Sequence, residues 1–291
     1  MITRASNFDQ SHSALLYEPM CGRFVSTNSP DQIATYFGAS FEAEPLPANY
    51  NTAPTNDVYA VVAANQPTDS GSGSSAALAL AVRPFHWGLV PIWAKDIKIA
   101  SSMINARAET LAEKPAFKAV FRKTRCIVPM DGFYEWKTTP GDVILGPKGK
   151  PVKQPMYIHR VDNEPLAVAG LWTAWRDKNG PSDAPWLHTC TLITTAANDT
   201  MAPVHHRMPV ILPATRWEQW LDPDNADLEV LQSLLIPAPN SLLTMHPVST
   251  DVNSVRNQGV YLLDPIDPSA PVAPRPASVG TAASGAPSLF D

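Results

Sequence analysis

Thiol, carboxylate, amide and imidazole are the groups that attack a carbonyl carbon, hold it, or move protons around it. This 291-residue chain offers each of them in a setting that core packing does not explain. Cys21, in "EPMCGRF", directly follows a methionine and precedes any obvious core element. Asn105 and Arg107, in "SSMINARAET", come after an apolar pair at the expected mouth of a helix, where a cap followed by a surface arginine is the bland alternative. Glu135, in "DGFYEWK", stands between Tyr134 and Trp136. On a strand it either alternates outward to solvent or points into an apolar pocket, where desolvation raises a carboxyl pKa into the range useful for proton transfer. His205 and His206, in "APVHHRMPVIL", belong to a loop entering a strand. Adjacent histidines lack the i, i+4 spacing of a helical metal site, so no metal is expected; acid–base work by one of them is the better functional reading, with a purely structural histidine as the alternative.

A net charge of −5 argues against a nucleic-acid binder until the charge is located. Between Lys95 and Arg125 eight basic residues stand against three acidic ones, a local charge of +5. A solvated helix face would explain that run. Phe85, Trp87 and Trp93 precede it, however, and aromatic side chains beside basic ones grip single-stranded nucleic acid by stacking and phosphate pairing, although tryptophans more often belong to a core. Three cysteines are too few for a disulfide framework and form no CxxC pair. Cys126 and Cys190, within apolar β-branched runs, read as small buried hydrophobes. No stretch approaches the roughly 20 apolar residues of a membrane helix, and residues 1–19 lack the apolar run of a secretion signal. An intracellular, cytoplasmic protein is expected, nucleoid-associated if bacterial.

The elements that must position these residues are short. Ser29-Pro30-Asp31 opening "IATYF" and closing at Gly38 predicts a capped helix, and a second helical stretch is expected over about 106–122, interrupted near Pro115. "VYAVVA" and "LALAVRPFHWGLV" read as a hairpin expanded by the loop 65–77. The runs "RCIVPM", "PMYIHR", "LAVAGLWTAW", "CTLITT" and "MPVIL" read as strands, and "TRWEQWL" and "DLEVLQSLL" as helices. Many short strands without regular helical alternation predict an α+β fold, a single domain of curved, mainly antiparallel strands with a barrel-like core and flanking short helices. Residues 1–20 read as a leader, 21–263 as the domain and 264–291 as a disordered Pro/Ala/Ser-rich tail.

Taken together and in order, "MCGRF" at 20, "NYNTAPT" at 49, "FHWGLVPIWA" at 85, "INARAET" at 104 and "RCIVPMDGFYEWK" at 125 resemble the SOS response-associated peptidase (SRAP) family. "GLW", "ITTAAN", "VHHRMPVIL" and "HPVS" follow, so the resemblance runs from Met20 to about residue 260. It implies a protein that shields abasic sites in single-stranded DNA, acting as a monomer without a cofactor. Its cysteine becomes the N-terminus, and amine and thiol together close a thiazolidine on the lesion's aldehyde. By the same resemblance Glu135 positions or deprotonates the amine, His205 assists sugar-ring opening and crosslink reversal, and Asn105 hydrogen-bonds the opened sugar. Arg23 and Arg107 hold flanking phosphates, and Trp93 packs against neighbouring bases.

Cys21 departs from that pattern because nineteen residues and Met20 precede it. While they are attached its nitrogen is a planar, non-basic amide and no thiazolidine can form. Translation from Met20 is the favoured explanation, and self-cleavage at Cys21 the alternative. Two other functions stay open on the residues: a cysteine-type peptidase, and a non-covalent single-stranded DNA-binding module.

Overall fold

The computed structural model describes residues 22–41, 43–64, 78–138 and 153–268. The expected leader, Cys21, the 65–77 loop and the tail beyond 268 lie outside the described residues. In chain order the strands are β1 (Phe24–Ser26), β2 (Ser40–Phe41), β3 (Asn49–Thr52), β4 (Asp57–Ala63), β5 (Leu80–Trp87), β6 (Asn105–Arg107) and β7 (Arg125–Met130). They continue with β8 (Gly132–Thr138), β9 (Lys153–Arg160), β10 (Leu166–Trp175), β11 (Leu187–Ala196), β12 (Arg207–Pro209) and β13 (Leu243–Pro247). Among the described residues four short α-helices flank them: α1 (Pro30–Phe37), α2 (Pro115–Lys123), α3 (Trp217–Leu221) and α4 (Leu228–Ser233). Among the described residues no helix is long and apolar enough to cross a membrane.

Strands β4, β5, β7, β10 and β11 form a closed ring, because β11 pairs with β10 on one edge and in parallel with β5 on the other (Thr189 opposite His86, Cys190 opposite Trp87). Closure removes the free edges that an open sheet would present. A second sheet, in the order β13-β9-β8-β1-β3, packs against it. Alternation along the strands divides the apolar side chains into two layers. Val58, Ala60, Val62, Phe85, Trp87, Cys126 and Val128 join Phe24, Phe133 and Ile158 of the second sheet in one core. Tyr59, Val61, Val82, Ile127 and Ala169 point the other way, beneath Ile33 and Phe37 of α1, Phe117 and Phe121 of α2 and Trp220 of α3.

The first expected helix forms as α1, with Ser29 and Gln32 making a reciprocal capping box and Gly38 closing it at φ 63°. The second does not form as expected. Residues 105–107 are extended instead, pairing in parallel with Leu192 to Thr194 of β11, and the α-helix begins only at Pro115. A long-range strand partner overrides the local helical pattern there.

The +5 segment also divides. Lys95, Lys98, Arg107, Lys114, Lys118, Arg122 and Lys123 are exposed. Arg125 is 2% exposed and structural, donating to the carbonyls of Phe121 (2.9 Å), Arg122 (2.6 Å), Trp220 (2.5 Å), Asn225 (3.1 Å) and Asp222. It thereby satisfies the orphan C-terminal carbonyls of α2 and α3 together. Burial lowers its pKa to about 10, so it stays charged at neutral pH.

Candidate active site

Glu135 takes the inward course. On β8 it lies opposite Met156 of β9 and is 4% exposed, on the same strand face as the core residue Phe133, while Tyr134 and Trp136 pack on the opposite face. The start of the described chain runs alongside this strand. Phe24 pairs with Phe133, and the Tyr134 N–H donates to the Arg23 carbonyl at 3.0 Å, so the Gly22-Arg23 segment lies antiparallel to the stretch leading to Glu135.

Arg23 faces away from Glu135 and is held from several sides. Its Nη1 donates to Asn51 Oδ1 (2.7 Å) and to the Val252 carbonyl (2.8 Å), and its guanidinium sits 5.8 Å from the Trp136 ring centre. Burial lowers its pKa. The amide of Asn51 donates in turn to the carbonyls of Val252 (3.2 Å), Ser254 (2.9 Å) and Asn257 (3.1 Å). Asn51 belongs to "NYNT", a stretch whose resemblance was visible in sequence but whose role was not.

One aromatic contact joins this region to Asn105. The Phe24 ring packs at 4.9 Å on Trp87, whose indole N–H donates to the Ile104 carbonyl at 3.1 Å. Asn105 and Arg107 share the face of β6 opposite the buried Ala106. His205 reaches the same end of β11 from the other edge. Its backbone N–H returns to Met201, a member of the core that holds Phe24 and Phe133, and β12 pairs Arg207 with Ala196.

The Arg207 N–H donates to His205 Nδ1 at 3.0 Å, which puts the proton of the neutral ring on Nε2. His206 stacks on His205 at 4.4 Å and is exposed. Arg207, given no role on sequence grounds, crosses β11 to make a bidentate pair with Glu109 (2.6 and 3.0 Å) and also donates to the Thr194 carbonyl at 2.6 Å. That pair holds the Glu109 carboxyl below its ordinary range. It ties the histidine loop to the segment that follows Asn105 and Arg107.

Trp93 stands 55% exposed, unlike Trp87, which is fully buried. Gly88 makes this loop possible. At φ 133° a side chain there would strain the backbone, and a Cβ would lie 2.5 Å from the Ala100 carbonyl oxygen. Cys126 and Cys190 are fully buried, and burial pushes both thiols well above their ordinary range, which keeps them protonated and unreactive.

The family model described as "SOS response associated peptidase (SRAP)" matches residues 20–255. The chain belongs to the SRAP family. An SRAP relative named abasic site processing protein YoqW, from Bacillus subtilis, is 40% identical over 248 residues, covering 84% of this chain and 99% of its own. The relative named abasic site processing protein YedK, from Escherichia coli, is 27% identical over 256 residues, covering 85% of this chain and 100% of its own. A solved structure of a protein from Bacteroides thetaiotaomicron superposes with a TM-score of 0.68 at 24% identity, over 84% of this chain and all of that one, and shares the SRAP fold.

Proposed function

We propose that this protein processes abasic sites in single-stranded DNA by coupling to them through Cys21, once the residues before it are gone. The observation that carries the reading is a carboxylate withdrawn from water, Glu135, on the strand that pairs with the beginning of the described chain. The relatives named as abasic site processing proteins support it.

An α-amine has an ordinary pKa near 8, so part of it is neutral at cellular pH and able to attack the aldehyde of the ring-opened deoxyribose. The amine nitrogen bonds to the aldehyde carbon and water leaves, giving a Schiff base. The thiol sulfur then bonds to the same carbon while its proton passes to the nitrogen, closing the thiazolidine with a net loss of one water. Glu135 takes and returns the amine protons, and His205 Nε2–H is the acid that opens the sugar ring. Asn105 hydrogen-bonds the opened sugar. Arg107, and the part of the Arg23 guanidinium not engaged by Asn51 and the Val252 carbonyl, hold phosphates, while Trp93 stacks on a flanking base. The protein acts as a monomer.

Incubation with an abasic single-stranded oligonucleotide, followed by a denaturing gel, tests the reading. Wild type gives a shifted, heat-stable band and Cys21→Ala gives none while still binding DNA. A Cys21→Ala protein that crosslinks at the wild-type rate overturns it. Cleavage of a peptide library without DNA would instead establish the peptidase reading.

A further inference from the structure

We propose that Trp186, braced by Arg176, is a second base-stacking platform that carries the grip on single-stranded DNA beyond the nucleotides at Trp93. The proposal rests on the abasic-site reading above and extends its binding surface. Trp186 is 52% exposed at the end of the β10–β11 connection, with one face open to solvent. Its position is built. The Arg176 guanidinium lies 4.8 Å from the ring centre, and the same side chain donates to the Ser182 carbonyl at 2.7 Å, tying residue 176 to residue 182. An arginine covering part of an indole leaves the exposed remainder as a rigid, electron-rich surface on which any base can stack.

This loop is joined to the one that presents Trp93. The Trp175 indole N–H donates to the Ala94 carbonyl at 2.9 Å, and Val90, Ala94, Ala100 and Trp175 share a small core against which Leu187 packs. Trp93 and Trp186 therefore flank one anchored unit, and Ile92, which precedes Trp93 in the chain, is 62% exposed. Lys95, Lys98, Arg176 and Lys178 lie in the two loops against Asp96, Asp177 and Asp183. Asp96 pairs with Lys98 (3.4 Å) and Asp177 accepts from the Asn179 N–H (2.9 Å), and four bases against three acids leave these loops at +1 in a chain of net −5. A polyanion with stacking faces matches this mixture better than an apolar protein surface does. From Leu192, opposite Asn105, back to Leu187 the strand covers about 17 Å, or roughly five nucleotides of stacked strand.

Affinity measured by fluorescence anisotropy for intact single-stranded oligonucleotides of about 5 and about 15 nucleotides tests the proposal. Trp186→Ala weakens binding of the longer strand about tenfold and of the shorter less than twofold, and Trp186→Phe restores most of the loss on the longer strand. Equal affinity of wild type and Trp186→Ala for the longer strand overturns the platform, as does an equal loss on both lengths. A shift in oligomeric state on Trp186→Ala, read by light scattering, would assign the patch to a second copy of the chain and also overturn it. A wild-type protein that binds both strands but never crosslinks to an abasic one would sink the crosslinking reading while leaving this comparison interpretable.

Discussion

Enclosing a carboxylate in a protein interior costs free energy that apolar packing does not return, so the environment of Glu135 is informative in itself. Glu135→Gln preserves the shape of the side chain and removes its basicity. The expected outcome is an unchanged melting temperature and a crosslinking rate lower by about 10²-fold at saturating abasic DNA; an unchanged rate would remove Glu135 from proton transfer. The inward course of this residue was not legible in "DGFYEWK", where both faces of the strand were open to it. Which face is buried depends on the second sheet, where Met156 lies opposite and Phe24 and Phe133 build the core. The two described cysteines were legible, because β-branched apolar neighbours on both sides leave a thiol nowhere to go but inward.

At the scale of elements, hydrogen bonds and ion pairs hold the site together from segments far apart in sequence. Arg125 gathers carbonyls from the ends of two helices, and Arg125→Ala leaves them buried and unpaired. Denaturant unfolding should show a loss of about 3 kcal/mol or more. The residue looked like one of a run of surface charges, since nothing local says that α3 ends against α2. The Glu109–Arg207 pair is a pH-dependent version of the same device. Because the Glu109 pKa is lowered in the fold, its stabilisation is present above the ordinary carboxyl value of 4.5 and is lost as pH falls through the folded value. The stability difference between wild type and Glu109→Gln should therefore be constant near pH 7 and shrink below about pH 4.5, as read by urea unfolding at each pH. Asn105 and Arg107 were expected on a helix and lie on a strand, because only β11, 87 residues later, supplies their partner.

Over the whole molecule, a net charge of −5 coexists with a basic stretch whose exposed members lie on and before β6 and α2. Binding of single-stranded DNA should weaken steeply with salt, and Arg107→Ala should lower the slope of log K against log salt by about 0.7, the value of one phosphate contact. An unchanged slope would show that Arg107 does not meet a phosphate. The ring and its alternating layers were foreseeable from strand count and periodicity. Its closure through parallel pairing of β5 with β11 was not, since strands with no connection of their own meet only in space.

The intact mass of the product formed with an abasic single-stranded oligonucleotide tests the central claim most directly. The account predicts the mass of the chain beginning at Cys21 plus the oligonucleotide, less one water. A covalent product that still carries Ile2 to Met20, or the absence of any covalent product, would contradict it.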